Sequence, residues 1–563
     1  MNIYSVMSTA SWALATSQTQ IGVVGNNIAN INNPDFNQQT ATITSNPVQN
    51  LGRYSVGTGV GVSGVTRNFD NFLFSQSLEA NTNTSLWNTK SQLMSQVNAV
   101  LNDSSGTGLG NAINNFFQSW QTLTTNPGGA TERGAVVSTA NTLSGQISNA
   151  AKQMVAMQNN ANSNISGAIP QINNYTSQIA GLNKLIHESE YNGNKANDYR
   201  DQREALIKKL SGLAGISYFE QSNGEDVVML KNGSPLVAGQ SNFTLSTALS
   251  TSNPRVNSIF WNSPNGGQVD ITNQLSGGQL GAWVQTRDGD VQTVLNNLNS
   301  LSGSIVSQVN NLHQTGYGLD GSTGLNFFNP LAPGGSGALT NTGNGTVTGK
   351  LLNPVNLDTD HYNMSFDGTN YSIANMDKGG AVALSGATLA QAQNFFQQRG
   401  YSITINGTVK ASDSFNVSAV NDAALLMSVN STVQNDINKV AAGTTTQSGD
   451  SSMAQQMGAI QNQKVMGGSW NSAGSTGSSG IYTINDYYGS MIGAIGTSSK
   501  SANDNLVLNQ GVGTQVNNML QRVSGVNLDE QMIDLVKFQN SYQAAAKTLT
   551  TVDQMLQILM SIA

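Results

Sequence analysis

Apolar residues recur at alternating steps of three and four at both ends of the chain. Near the start the stripe reads Ile3, Met7, Ala10, Leu14, Ser17, Ile21, Val24, Ile28, Ile31. From Leu528 onward it reads Leu535, Phe538, Tyr542, Ala545, Leu549, Val552, Leu556, Leu559. A 3.5-residue period keeps one seam turned toward a partner helix, whereas an ordinary surface helix drifts at 3.6. Such a stripe also marks any helix of a bundle core. Its placement at both ends, where chains usually fray, points instead to two helices paired as a coiled coil. The chain between them is then one long excursion out and back. Asn, Gln, Ser and Thr fill the rest of the first helix, and no Lys or Arg precedes Arg53. That surface suits close-packed polar neighbours.

The pattern between the ends alternates helix and strand. Asn30 to Pro34 is an Asn cluster followed by Pro, which stops the first helix. Residues 37–85 are rich in Thr, Val and Gly, with a strand and hairpin expected over Val56–Val62. Helices are expected over Leu86–Asn102, Ala112–Thr125 and Glu132–Glu190. The third carries the stripe Ile147, Ala151, Met154, Gln158, Ala161, Ile165, Ala168, Ile172, Tyr175, Ile179, Leu182, Ile186, with a kink or short break at Pro170. Another helix begins at Asn197, with Leu206, Leu210 and Leu213 inward and its charges on a solvated face. Period-two alternation then gives a small β domain, with a hairpin at Asn232-Gly233. Helix returns from Gly281 to about Thr315. A second β domain follows, with hairpin signals at Asp367-Gly368 and Asn406-Gly407, and broken helix resumes from Asn421.

Composition changes this picture in what it excludes. Charged residues are 10% of the 563, and the net charge is -7 with no basic cluster, so nucleic acid is not an expected partner. Zero cysteines removes disulfides, thiol nucleophiles and thiolate metal sites. The first thirty residues have neither a basic n-region nor a continuous apolar run, and no stretch approaches a membrane span. Export, if it occurs, is expected without a cleaved signal peptide.

Asn27-Ile28-Ala29-Asn30 followed by Asn33-Pro34-Asp35-Phe36 resembles the N-terminal signature of flagellar axial proteins. The chain departs from the usual form at Asn33 (Thr) and Asp35 (Gly). Ser524-Gly525-Val526-Asn527-Leu528-Asp529-Glu530, then Phe538-Gln539, resembles the C-terminal signature of one axial family, the hook-associated protein 1 family. Asn197 to Leu206, Gly278 to Asp288, His313 to Tyr317 and Phe327-Phe328 are similar to the same family. The resemblance implies a homo-oligomeric ring between flagellar hook and filament. Its partners would be the hook protein on one side and the second hook-associated protein on the other, with an export chaperone at the C-terminal helix. Extracellular placement by the flagellar type III route follows from the same resemblance.

Candidate chemistry is thin. His187, His313 and His361 are far apart, and His187-Glu188-Ser189-Glu190-Tyr191 lacks the second His of a zinc-binding helix. No Gly-x-Ser-x-Gly elbow or phosphate loop with Lys appears. No enzyme, cofactor or metal is therefore expected. The expected fold is a multidomain α+β chain with a coaxial out-and-back course. Its terminal coiled coil comprises 1–50 and 525–563, and its helical bundle 51–215, 281–316 and 421–524. A small β domain covers 216–280 and an outer β domain 317–420. The expected assembly residues are Ile3, Met7, Leu14, Ile21, Val24, Ile28, Leu528, Leu535, Phe538, Tyr542, Leu549, Val552, Leu556 and Leu559. The signature residues are Asn27, Ile28, Ala29, Asn30, Pro34, Phe36, Gly525, Asn527, Asp529 and Glu530. The alternative reading is a surface-displayed adhesin that binds through the β insertions.

Overall fold

The computed structural model of the chain describes residues 3–51, 54–101, 108–191, 193–250, 255–263, 266–338, 340–352, 357–466 and 481–562. It opens on helix α1 (Ile3–Ala29) and a ribbon in which β1 (Gln39–Ser45) pairs antiparallel with β4 (Val60–Arg67), with β2 (Gln49–Leu51) and β3 (Tyr54–Val56) at its far end. The ribbon lies along α1: Thr16 donates to the Val60 carbonyl at 3.1 Å. Gly59, at φ +97°, passes so close to Thr9 that a Cβ would sit 3.2 Å from its methyl group.

Helix α2 (Asn71–Leu101) begins some fifteen residues before the expected start at Leu86. The cause is Asp70, whose Oδ1 accepts from the backbone N–H groups of Phe72 at 2.8 Å and Leu73 at 3.0 Å, a side-chain N-cap. The expected end at Asn102 lies outside the described residues. After α3 (Leu109–Leu123), the 61-residue α4 (Ala130–Glu190) runs unbroken through Pro170. Proline removes one N–H bond there, but buried Ile169 and Ile172 on either side hold the helix to its neighbours. Along its stripe Tyr175 and Leu182 are half-buried and every other position is buried.

Helix α5 (Asn197–Leu213) leads into an antiparallel sheet of β5 (Ile216–Glu220), β6 (Asp226–Leu230), β7 (Pro235–Ala238) and β8 (Ser241–Asn242). The Asn232-Gly233 turn joins β6 to β7, with Gly233 at φ +89°. A second sheet holds β9 (Leu245–Leu249), β10 (Asn257–Asn262) and β11 (Gln268–Asp270). These strands share one buried core with α2, α4, α5 and α6 (Gly278–Gln285). The single helix expected over 281–315 is interrupted. A π-helical turn at Thr286–Asp290 separates α6 from α7 (Val291–His313). Buried Arg287 anchors that turn, donating to Asn162 at 3.0 Å and to the Asn257 carbonyl at 2.8 Å.

The outer sheet has seven antiparallel strands with their own core. They are β12 (Gly334–Gly337), β13 (Thr346–Leu351), β14 (Tyr362–Phe366), β15 (Tyr371–Asn375), β16 (Ala381–Ala387), β17 (Tyr401–Asn406) and β18 (Ser414–Ser418), with α8 (Leu389–Gln397) between β16 and β17. The order is β16-β15-β14-β18-β12-β13-β17. Asp367-Gly368 closes the β14–β15 hairpin as expected. Asn406-Gly407 does not close one, because β17 and β18 lie three places apart. Gly407 at φ +89° serves a close approach instead, since a Cβ would stand 2.6 Å from the Asn344 carbonyl oxygen. The sheet's first and last strands by sequence pair with each other, Gly334 against Ser418.

Short helices α9 (Ala423–Leu426), α10 (Ser431–Gln434) and α11 (Ser452–Ala459) return the chain to the body. Helix α12 (Ile484–Ser524) then packs along α2, and α13 (Leu528–Ile562) packs along α1. The largest buried core joins α2, α3, α4, α7, α11 and α12 around Phe116, Trp120, Phe327 and Phe328. Among the described residues no helix is long and apolar enough to cross a membrane.

Candidate functional site

The predicted helical stripes lie side by side, yet their burial is uneven. Val24 and Val552 are buried. Ile3, Leu14, Ile21, Ile28, Leu535, Phe538, Leu549 and Leu556 are half-buried, while Met7, Leu528, Tyr542 and Leu559 stay exposed. Further apolar side chains outside the stripes are also exposed: Tyr4, Trp12, Met532, Ile533, Val536, Met555, Ile558 and Met560. Each terminal helix therefore buries one flank on the other and leaves a second flank bare.

Where the helices meet, the signature residues form a polar joint. Asn27 is 1% exposed. Its Nδ2 donates to the Gln39 carbonyl at 2.9 Å and to Gln531 Oε1 at 2.8 Å, and its Oδ1 accepts from the Gln39 N–H at 3.0 Å. One side chain thus ties α1, β1 and α13 together. Asn30 reaches back to the Asn26 carbonyl at 3.0 Å, ending α1. Pro34 is exposed in the following turn, Phe36 is half-buried, and Ile28 and Ala29 lie half-buried and exposed beside Asn27. Gly525 bonds back to Gln521, and Asn527 Oδ1 accepts from the Asp529 N–H at 3.0 Å to cap α13. Asp529 and Glu530 are exposed in that first turn, where the helix dipole favours carboxylates.

The joint continues into charges that were expected on a solvated face of α5. Arg200, Asp201, Arg203 and Glu204 are buried instead, while Asp198 stays exposed. Arg67 Nη1 lies 2.6 Å from Asp201, and Arg67 forks onto both oxygens of Glu204 at 2.8 Å. Asn37 donates to Asp201 from its side chain at 2.7 Å, and Gln39 to Asp198 at 3.0 Å. Deeper, Arg203 Nε stands 2.7 Å from Asp226, and Arg200 joins Glu190 and Glu220, each at 2.7 Å. Burial pushes the Asp201 and Glu204 carboxyls above their ordinary range against the pull of Arg67. Burial likewise pushes Asp226 up to about 7 despite Arg203. At Glu190 burial acts upward too, but the Arg200 guanidinium and the Ala196 N–H outweigh it and hold the carboxyl at about 2.

Gln39, Arg67, Asp201, Glu204 and Gln531 are the contributors that sequence reasoning missed. A signal existed for α5. Arg203, Ile207 and Leu210 fall at i, i+4 and i+7, and Arg200, Glu204, Ile207 and Ser211 share the same turn spacing, so the charges sit on the buried face. Among the described residues no group of three or more His, Asp or Glu side chains is placed to hold a metal ion.

Paired terminal helices, a helical body between them and β insertions make up the chain. Residues 94–328 match the flagellar hook-associated protein FlgK helical domain, and residues 516–562 match the flagellar basal body rod FlgEFG protein C-terminal family. The chain is similar over nearly its whole length to flagellar hook-associated protein 1 relatives. It is 28% identical to flagellar hook-associated protein 1 of Salmonella typhimurium, over 99% of this chain and 100% of the relative. Against the Escherichia coli protein of that name identity is 29%, over 99% of this chain and 100% of the relative. The solved flagellar hook junction protein FlgK from Burkholderia pseudomallei shares the fold, with a TM-score of 0.69 at 22% identity, over 81% of this chain and 100% of that one.

Proposed function

We propose that the chain is the subunit of a ring that joins flagellar hook to filament. The observation that carries this reading is the bare apolar flank of α1 and α13, with Tyr4, Trp12, Ile533, Val536 and Ile558 in water. Fully burying one such side chain contributes about 1.5–3 kcal/mol, and neighbouring copies are the surfaces that would cover them. The stripe residues Ile3 to Ile28 and Leu528 to Leu559 then form the coiled-coil wall of the inner tube, with the helical body next and the outer sheet outermost. Isolated helices of this kind are marginal in water, so the distal turns of α1 and α13 fold on assembly. In the free chain the exposed C-terminal helix is where an export chaperone docks. A chain without cysteines suits unfolded passage through the flagellar type III route. Hook protein contacts one rim of the ring, and the second hook-associated protein the other.

Cells lacking the gene test this reading when examined by electron microscopy, with flagellin assayed in the medium. The expected outcome is bare hooks and monomeric flagellin in the medium. Full-length filaments would overturn it.

A further inference from the structure

Two chain crossings, residues 68–70 and 525–527, connect the inner helices and ribbon to the body. Side-chain contacts between the ribbon and the body converge on α5. Arg67 sits between Asp201 and Glu204, Asn37 binds Asp201, Gln39 binds Asp198, and Asn197 donates to the Val65 carbonyl at 2.9 Å. The side chains of Arg67, Asp201 and Glu204 are 6%, 8% and 7% exposed. Apolar packing does not duplicate this grip, because among the described residues the three buried cores contain none from α1, the ribbon or α13.

We propose that Arg67, seated between Asp201 and Glu204, is a releasable latch. Closed, it holds the β1–β4 ribbon, and through Asn27 and Gln531 the roots of α1 and α13, in register on α5 before any other copy arrives. Ribbon docking, unlike the folding of the distal helical turns, needs no neighbour. The latch has one cation for two carboxylates, so it is weakest against protons. The charged groups around it are Asp198, Arg200 and Arg203 on α5, Glu190 at the end of α4, Glu220 on β5 and Asp226 on β6. At pH 7.5 Arg203 is engaged by Asp226 and Arg200 by Glu190 and Glu220, so neither replaces Arg67; Asp226 itself takes up a proton on acidification, so Arg67→Met is the arm that isolates the latch. Burial already raises both latch carboxyls, which places their protonation, and release, above the ordinary carboxylate range.

The chain has no native cysteine, so spin labels can be placed at Thr44→Cys on the ribbon and Lys209→Cys on α5 in the free, unassembled protein. A narrow distance distribution is expected at pH 7.5. Arg67→Met, or acidification below pH 5, should broaden it at least twofold while amide-exchange protection of the helix around buried Trp120 stays native. The charge swap Arg67→Glu with Glu204→Arg should narrow it again. The proposal is overturned by an already broad wild-type distribution, by a narrow one in Arg67→Met, or by broadening that appears only when protection around Trp120 is lost. Should Arg67→Met not fold, the comparison moves to Arg67→Lys, which keeps the charge but loses the fork: an unchanged distribution at every pH again overturns the latch. Because the free chain is measured, failure here leaves the ring reading standing.

Discussion

At the scale of single residues, Asn27 and His313 show how much one polar group can decide. Asn27→Leu keeps the volume but strands the Gln39 N–H and the Gln531 side chain in a buried joint. An unsatisfied buried group costs about 1–3 kcal/mol. The expected outcome is loss of amide-exchange protection at the roots of α1 and α13, while the core around Trp120 keeps its protection. His313 is buried in the body, its Nδ1 2.7 Å from the Leu325 carbonyl and its Nε2 accepting from the Ala441 N–H at 3.0 Å. That pattern fixes the neutral ring, and burial lowers its pKa from 6.5 to about 4. Between those values the unfolded chain takes a proton that the native chain refuses. Stability contributed by neutral His313 is therefore present above pH 6.5 and is lost as pH falls toward 4, by roughly 3 kcal/mol in all. Urea midpoints measured from pH 7 to pH 4 should fall more steeply in the wild type than in His313→Gln. Equal slopes would refute the assignment.

At the scale of elements, the long regular stripes were legible and the interruptions were not. Helix α4 follows its apolar period almost residue by residue, because a 3.6-fold packing face is written in every turn. The early start of α2 was hidden because its first half is mostly Ser, Thr and Asn, and the signal was a lone cap, Asp70. The π turn at Thr286–Asp290 depends on Arg287 finding Asn162 and Asn257, partners 125 and 30 residues away and outside any local pattern. Pro170 misled in the opposite direction, since tertiary packing overrode the local rule. It leads to a direct test. Pro170→Ala restores the missing backbone donor in a helix that already runs unbroken through the position. The gain of about 1–2 kcal/mol, after the looser unfolded chain is allowed for, should raise the thermal midpoint. A lower midpoint would mean the proline ring itself fills a needed space.

At the scale of the whole molecule, the out-and-back course was legible because both ends carry matching periods. The joint was not. Its residues are spread over positions 27, 39, 67, 201, 204 and 531, and only the fold brings them together. The same fold separates the cores of the body from the terminal helices and the ribbon. Since among the described residues α1, the ribbon and α13 contribute nothing to the three buried cores, a fragment of residues 68–524 should unfold cooperatively within a few degrees of the full chain in scanning calorimetry. A fragment that melts broadly would show that the terminal helices support the body after all.

The pairing of Gly334 with Ser418 has a consequence of a different kind. The outer sheet leaves and re-enters the molecule through two strands that already touch. Whatever lies between those points is cargo on a closed bracket, because its loss or replacement leaves the distance between the bracket's feet unchanged. Lineages could exchange that cargo freely while the paired terminal helices keep their geometry, and an engineer could hang an unrelated domain on the same two feet.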